Sequence, residues 1–162
     1  MASWNGQLEW PVQRPSEVAE AIGHGSTEGT QAVSETHATL LITDDDRDFR
    51  QSLAEALQRR GFHTLQAEDG EEAMELVRRQ SIHAMMVDNH MPRLTGIELA
   101  RRLQSGSVFV PWILMSARID ERVVAEAEEL HAASVLSKPF SLARLTEVLQ
   151  SLLKTHYGWD RR

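Results

Sequence analysis

The stretch LLITDDDRDFR at residues 40–50 joins the end of a buried β-strand to the start of an amphipathic helix. Its first four residues are apolar or β-branched, as expected for a strand that is covered on both faces. Three aspartates follow, and from Phe49 onward apolar residues recur at the three- and four-residue spacing of a helix. A strand followed directly by a helix is one unit of an α/β fold.

The same unit recurs along the chain until about residue 153. The predicted strands span residues 40–43, 62–67, 83–87, 112–115 and 134–137. The predicted helices run from Phe49 to before Gly61, over 71–80, 97–103 and 123–130, and from the capping residue Ser141 onward. Strands that are joined by single helices are normally parallel with right-handed crossovers, so we predict a doubly wound parallel α/β sheet.

The composition differs before this domain. Residues 1–36 are rich in Ser, Gly, Thr, Gln and Pro and are expected to form a disordered N-terminal extension. Their few apolar residues, Trp4, Leu8, Trp10 and Val12, are either part of this untethered tail or a docking segment, and a short helix over residues 16–22 is compatible with the sequence. We place the folded domain at 37–155 and a short C-terminal tail at 156–162.

The bulk composition excludes several classes of function. The net charge is −7, with 17 Lys and Arg against 24 Asp and Glu, and there is no long basic run, so direct nucleic-acid binding is not expected. There is no cysteine, which excludes disulfides and thiolate catalysis. No apolar stretch resembles a signal peptide or reaches the roughly 18 residues of a membrane span. We therefore expect a cytoplasmic protein that does not bind membranes.

Polar side chains follow four of the predicted strands at the points where those strands end. Asp44 and Asp45 end the first strand, and Asp88 ends the third. Ser116 ends the fourth strand and Lys138 the fifth. Because the carboxyl ends of parallel strands meet at one edge of the sheet, we expect these five side chains to lie together.

This set of groups points to a metal and to phosphoryl chemistry. Three crowded carboxylates repel one another unless a cation joins them, and hard oxygen ligands suit Mg²⁺. With a metal beside it, Asp88 can act as a carboxylate nucleophile towards a phosphoryl donor, while Lys138 neutralises developing charge. The added charge of an aspartyl phosphate, roughly −1.5 to −2, could then attract the Ser116 hydroxyl and the Lys138 ammonium.

Four stretches resemble one known family, the response-regulator receiver domains typified by the chemotaxis protein CheY. They are LLITDDDRDFR at 40–50, DNHMPRLTG at 88–96, MSAR at 115–118 and LSKPF at 136–140, and the resemblance covers residues 38 to about 153. Each motif is weak to moderate alone, but their order and their positions at strand ends make the combination specific. The resemblance implies a flavodoxin-like (βα)5 fold with a five-stranded parallel sheet in the order 2-1-3-4-5.

The resemblance also implies a role for each acidic residue. Asp88 would be the phosphoacceptor. Asp45 and Asp88 would bind Mg²⁺ directly, Asp44 would help mainly through water, and the backbone carbonyl of His90 would supply a further ligand. By the same resemblance, the domain would be a phosphoacceptor that assists its own Mg²⁺-dependent phosphorylation and dephosphorylation, and not a conventional enzyme.

The resemblance assigns two further residues. Ser116 looks like the switch hydroxyl, and Lys138 looks like the phosphoryl-binding lysine. The Lys138–Pro139 peptide bond would be cis, as is usual in the family.

The chain departs from the family pattern at two positions. Val135 stands where the family usually has an aromatic residue, which puts aromatic rotameric switching in doubt. His131 stands where the family often has glycine, so either the turn differs or a non-glycine residue adopts an unfavourable backbone angle. His90 and Arg118 are expected to flank the phosphoryl group, and our hypothesis is that they tune dephosphorylation by shaping water access.

The leading functional hypothesis is a stand-alone receiver protein of a two-component phosphorelay that signals through protein contacts. Fewer than ten residues follow the last predicted helix. The expected partners are a sensor histidine kinase or a phosphotransfer protein and a downstream protein target, and the expected state is a monomer or weak homodimer.

Two other functions compete with this hypothesis. A phosphorylation-independent adaptor is favoured by Val135 and opposed by the complete acidic and lysine set; Trp112, expected near the site, would report Mg²⁺ binding through its fluorescence. An aspartyl-nucleophile phosphatase would need an acid two residues after Asp88, and His90 occupies that position.

Overall fold

The structure, a computed structural model, describes residues 37–159. Its strands are β1 Thr39–Thr43, β2 His63–Ala67, β3 Ala84–Asp88, β4 Trp112–Ser116 and β5 Ser134–Ser137. Its helices are α1 Arg47–Gln58, α2 Gly70–Arg79, α3 Gly96–Ser105, α4 Glu121–Glu129 and α5 Leu142–Tyr157. The predicted alternation of strands and helices is confirmed. The expected extension at 1–36, with its helix at 16–22, lies outside the described residues.

The sheet is parallel and has the order β2-β1-β3-β4-β5, which confirms the fold expected from the resemblance. Strand β1 pairs with β2 on one side and with β3 on the other, so Thr43 is aligned with both Ala67 and Val87. The strand order therefore reverses beside β1. In a doubly wound sheet, the crevice for a ligand lies at the carboxyl ends of the strands at this reversal.

Two apolar clusters, one on each face of the sheet, hold the helices in place. Every residue of β3 and β4 is buried, and alternate residues along each strand face opposite sides. Leu40 and Met86 belong to the cluster that includes α5, whereas Leu41 and Met85 belong to the cluster beneath α3. Strands that are covered on both faces need nearly continuous apolar sequence, which is why these runs were visible in the sequence.

Helix α5 continues beyond the predicted domain end at residue 155. It spans Leu142–Tyr157, and within residues 37–159 neither this helix nor any other is both long and apolar enough to cross a membrane. The Tyr157 hydroxyl donates a hydrogen bond to the His83 carbonyl oxygen at 3.1 Å, and the Trp159 ring centroid lies 4.8 Å from that of His83. The residues at the end of α5 thus contact the segment that leads into β3.

His131, which stands before β5 where the family often has glycine, adopts the backbone conformation that glycine favours. It adopts a positive φ of 58°, so a non-glycine residue does accept the left-handed conformation. The turn follows α4: the His131 N–H donates to the Glu128 carbonyl oxygen at 3.0 Å, and the Ala132 N–H donates to the Ala127 carbonyl oxygen at 2.9 Å. These bonds satisfy carbonyl groups at the end of the helix, which compensates for the backbone angle.

We expect replacement of Gly96 with Ala to lower the free energy of unfolding by about 2 kcal/mol. A Cβ atom at Gly96 would lie 2.8 Å from the Asp88 carbonyl oxygen and 3.0 Å from side-chain atoms of Leu114 and Val87. A backbone oxygen cannot rotate away, so β3 and α3 would have to separate. Urea unfolding followed by circular dichroism measures the loss.

Gly106→Ala is the matched control for this substitution. Gly106 follows α3 directly, and its added Cβ would meet neighbours at an ordinary 3.5 Å. We expect the stability of this variant to be unchanged or slightly higher. Equal losses in the two variants would contradict the steric explanation.

Candidate functional site

The acidic residues meet at the carboxyl edge of the sheet. Carboxylate oxygens of Asp44, Asp45 and Asp88 all lie within 4.8 Å of one another. Asp44 and Asp45 follow β1, and Asp88 is the last residue of β3. Asp44 is fully buried and Asp88 is 4% exposed, whereas Asp45 is open to solvent. The site therefore contains two carboxylates shielded from water and one that remains accessible.

Lys138 brings the opposite charge to this cluster from the end of β5. Its Nζ lies 2.6 Å from Asp44 Oδ2 and 3.3 Å from Asp88 Oδ1, and its side chain is 19% exposed. The Lys138–Pro139 peptide bond is cis, as the resemblance implied. One ammonium thus faces two buried carboxylates.

Burial and the neighbouring charges shift the pKa values of Asp88 and Lys138. Burial raises the pKa of Asp88, and the neighbouring Asp44 carboxylate raises it further; Lys138 and the His90 backbone N–H oppose the rise without cancelling it. Burial alone would lower the pKa of Lys138, but Asp44 and Asp88 outweigh that effect and raise it. Lys138 therefore stays charged, while the Asp88 carboxylate is destabilised and would gain from an added cation.

Asp44 is fixed by several hydrogen bonds. Its Oδ1 accepts from the Asp46 N–H at 2.9 Å, and its Oδ2 accepts from Lys138. Its backbone carbonyl accepts from Arg50 Nη1 at 2.6 Å. Asp46 is the N-cap of α1 and accepts from the Phe49 N–H at 3.1 Å. Both carboxylate oxygens of Asp44 therefore already have partners within the protein.

The sequence did not identify Phe49 and Arg50 as neighbours of the site. The Lys138 ammonium lies 4.1 Å from the centroid of the Phe49 ring, which meets the Phe140 ring edge to face at 6.1 Å. The helical spacing of Phe49 in the sequence indicates only a place on the apolar face of α1. The available signal was its place in the first turn after the aspartates, where a large side chain can cover the crevice.

Ser116 is fully buried at the end of β4, but its hydrogen bonds do not reach Asp88. Its Oγ lies 3.0 Å from His90 Nε2 and 2.7 Å from the Arg118 carbonyl oxygen. It also accepts from the Arg118 N–H at 3.2 Å. The structure therefore places Ser116 beside the site, bonded to the loops that follow β3 and β4.

Val135 and Trp112 lie away from the acidic cluster. Val135 is half-buried in β5 and packs against the apolar cluster on the α3 side of the sheet. Trp112 is the first residue of β4, and its Nε1–H donates to the Leu130 carbonyl oxygen at 3.0 Å. Since Ser116 is four residues further along an extended strand, roughly 13 Å away, the expectation that Trp112 lies near the site was wrong.

We expect replacement of Thr43 with Val to raise the free energy of unfolding by about 1 kcal/mol. Within residues 37–159, Thr43 Oγ1 is the one buried side-chain polar atom without a hydrogen-bond partner. A methyl group of the same shape removes this desolvated hydroxyl and keeps the β-branch. Thermal and urea unfolding would measure the gain.

Thr64→Val is the matched control in the neighbouring strand β2. The Thr64 hydroxyl accepts from Gln58 Nε2 at 2.7 Å, so its replacement loses a hydrogen bond and should give no gain. A similar gain from both substitutions would mean that the unpaired hydroxyl is not the cause.

Comparison with known proteins agrees with this geometry. The model of the family described as the response regulator receiver domain matches residues 40–150. The response regulator RR06 of Streptococcus pneumoniae is 32% identical over 118 residues, which are 73% of this chain and 54% of that protein. The response regulator MprA of Mycobacterium leprae is 38% identical over 117 residues, which are 71% of this chain and 50% of that protein. The chain thus spans about half the length of the curated relatives it matches.

Solved structures show the same likeness over the whole domain. The Vibrio cholerae chemotaxis protein CheY4 has a TM-score of 0.67 and 29% identity, covering 73% of this chain and 100% of that chain. The response regulator TrrA of Thermotoga maritima, in complex with Mg²⁺–BeF, has a TM-score of 0.65 and 28% identity, covering 72% of this chain and 99% of that chain. From the sheet order, the acidic edge with its lysine, and these matches, we conclude that the chain belongs to the response regulator receiver domain family.

Proposed function

We propose that this domain is a phosphorylation-controlled signalling switch in which Asp88 accepts the phosphoryl group. The supporting observation is the meeting of Asp44, Asp45 and Asp88 with the Lys138 ammonium at one sheet edge. An Asp88 carboxylate oxygen attacks the phosphorus of the donor, the bond from phosphorus to the leaving group breaks, and an acyl phosphate forms.

The residues present fit a divalent cation. Three carboxylates are opposed by one ammonium, and burial together with the Asp44 carboxylate raises the pKa of Asp88, so a cation beside it would be favourable. Asp45 and Asp88 would bind Mg²⁺ directly, together with the backbone carbonyl of His90. Asp44 would act through water, because its two oxygens already accept hydrogen bonds from Asp46 and Lys138. When bound, Mg²⁺ would neutralise charge on the transferring phosphoryl group.

Lys138 and Ser116 would respond to the new charge on Asp88. The Lys138 ammonium already lies 3.3 Å from Asp88 Oδ1, so it can contact a phosphoryl oxygen with little movement. Ser116 would have to turn its hydroxyl towards the phosphoryl group. Because this hydroxyl is hydrogen-bonded to Arg118, its movement would draw the loop after β4 with it. His90 and Arg118, on the loops that flank Asp88, would tune dephosphorylation by shaping the access of water.

Signalling would pass through protein contacts. A coupling of about 1–3 kcal/mol between the site and a binding surface would change partner affinity roughly 5- to 150-fold. The phosphoryl group would come from a sensor histidine kinase or a phosphotransfer protein in the cytoplasm, and a downstream protein would bind the switched domain. Membership of the receiver family, together with the acidic site, supports these assignments.

A phosphorylation-independent adaptor is the second candidate, and Val135 is the observation that favours it. A β-branched side chain is stiff and, half-buried against the apolar cluster, cannot perform the large rotation of an aromatic ring. The proposed switch must therefore act through the Ser116 and Lys138 loops. An adaptor would keep the fold without taking up phosphate.

Intact mass measurement after incubation with acetyl phosphate separates the two candidates. The phosphoryl switch predicts a gain of one phosphoryl group in the presence of Mg²⁺, loss of the gain when Mg²⁺ is chelated, and removal of the group by hydroxylamine, which cleaves acyl phosphates. No gain under any condition, from protein with an intact fold, would favour the adaptor.

A further inference from the structure

The hydrogen bonds of the Ser116 hydroxyl use its full bonding capacity. A hydroxyl has one proton to donate and two lone pairs that can accept. The Arg118 carbonyl oxygen, 2.7 Å away, can only accept, so it must take the hydroxyl proton. The Arg118 N–H fills one lone pair at 3.2 Å. His90 Nε2, at 3.0 Å, must then donate its N–H into the second lone pair.

This arrangement opposes the movement that a phosphoryl group on Asp88 requires. Ser116 can donate to a phosphoryl oxygen only after its bond to the Arg118 carbonyl is broken, and the hydroxyl cannot shift while His90 holds it. Ser116 is fully buried, whereas His90 is exposed, so the ring reaches inward from the surface to make this contact. The bond also ties the loop after β3 to the end of β4.

We propose that the His90 side chain is a latch that holds Ser116 in its unphosphorylated position, which makes His90 a positioning residue for the switch. The inference rests on the proposed phosphoryl transfer to Asp88. The latch must open before Ser116 can engage the phosphoryl group, so it lowers the affinity of the domain for that group. Removal of one such hydrogen bond should tighten the binding of a phosphoryl mimic about 5-fold, equivalent to about 1 kcal/mol.

A double-mutant cycle with Mg²⁺ and beryllofluoride as the probe tests the latch. Calorimetric affinities are measured for the wild type, His90→Ala, Ser116→Ala and the double variant, each with its Mg²⁺ affinity measured separately so that a change at the metal can be subtracted. We expect His90→Ala to tighten beryllofluoride binding about 5-fold when Ser116 is present and to have no effect when Ser116 is Ala. His90→Gln, which keeps an N–H donor, should restore an affinity close to that of the wild type.

The outcomes distinguish failure of the latch from failure of the proposed function. An equal effect of His90→Ala with and without Ser116, weaker binding, or no change would overturn the latch while leaving phosphoryl transfer in place. If the wild type neither binds beryllofluoride nor takes a phosphoryl group from acetyl phosphate, the proposed function fails and the latch fails with it. Thermal unfolding of each variant confirms that the folded domain is being compared.

Discussion

Asp88→Asn is expected to take up no phosphoryl group from acetyl phosphate, even with saturating Mg²⁺. The substitution keeps the shape of the side chain but replaces the nucleophilic carboxylate with an amide, and it removes one of the three negative charges that favour a cation. The fold should survive, because the substitution removes a charge that is disfavoured in the folded protein: burial and the Asp44 carboxylate raise the pKa of Asp88. Intact mass measurement over time, beside the wild type, would detect any uptake.

Asp120→Asn provides the matched control. Asp120 is the N-cap of α4, where it accepts from the Val123 N–H at 2.9 Å, and asparagine caps helices equally well. This variant should accept the phosphoryl group at the wild-type rate. Uptake by Asp88→Asn at that same rate would identify a different acceptor and remove the basis of the proposed function.

Lys138→Met is expected to lower the free energy of unfolding by about 3 kcal/mol near neutral pH. The variant keeps a long apolar stem beneath the Phe49 ring but leaves Asp44 and Asp88 without the ammonium that now lies 2.6 Å and 3.3 Å from them. Two buried, uncompensated carboxylates are costly in a folded protein. Urea unfolding at a series of pH values, without Mg²⁺, would measure the loss.

The loss in Lys138→Met should shrink as the pH falls. Burial and Asp44 already raise the pKa of Asp88, and Lys138 opposes that rise, so its removal moves the folded-state pKa still further above the unfolded value of about 3.9. A carboxyl with a raised folded pKa binds its proton more tightly in the folded state, which therefore gains stability as the pH falls through that pKa towards the unfolded value.

Lys154→Met controls for the loss of a positive charge. Lys154 is exposed in the last turn of α5, outside the acidic cluster, and its removal should cost about 0.5 kcal/mol. A loss in Lys138→Met that stayed constant between pH 7 and about pH 4 would show that the buried carboxylates are not its source.

The fold and the acidic edge could be predicted because a parallel sheet converts position within a strand into position in space. Asp44, Asp88 and Lys138 are distant along the chain, yet each lies at the end of a strand or directly after it, and parallel strands align their ends. The expectation that Trp112 lies near the site was wrong for the same reason: position along a strand sets position in space. A five-residue strand carries its first and last residues roughly 13 Å apart, so belonging to the same strand as Ser116 did not place Trp112 near the site.

Other features depend on interactions that hydrophobic periodicity does not encode. Phe49 has the spacing of a core residue, and the same spacing is compatible with a ring that lies against the lysine. The backbone angle of His131 depends on the hydrogen bonds that end α4, which sequence spacing leaves open. The bond between His90 and Ser116 joins the loop after β3 to the end of β4, and loop conformation is the feature that sequence pattern determines least.

The ion pair between Lys138 and Asp44 joins positions 94 residues apart, so the acidic site is complete only when both ends of the domain have come together. In the sheet β5 pairs with β4 alone, so the lysine arrives only when this edge strand is added. A nascent chain that has built the sheet as far as β4 carries both buried carboxylates but lacks the ammonium. Under the proposed function, competence to accept a phosphoryl group would therefore require the addition of β5 to the sheet, and its appearance during refolding would report that step.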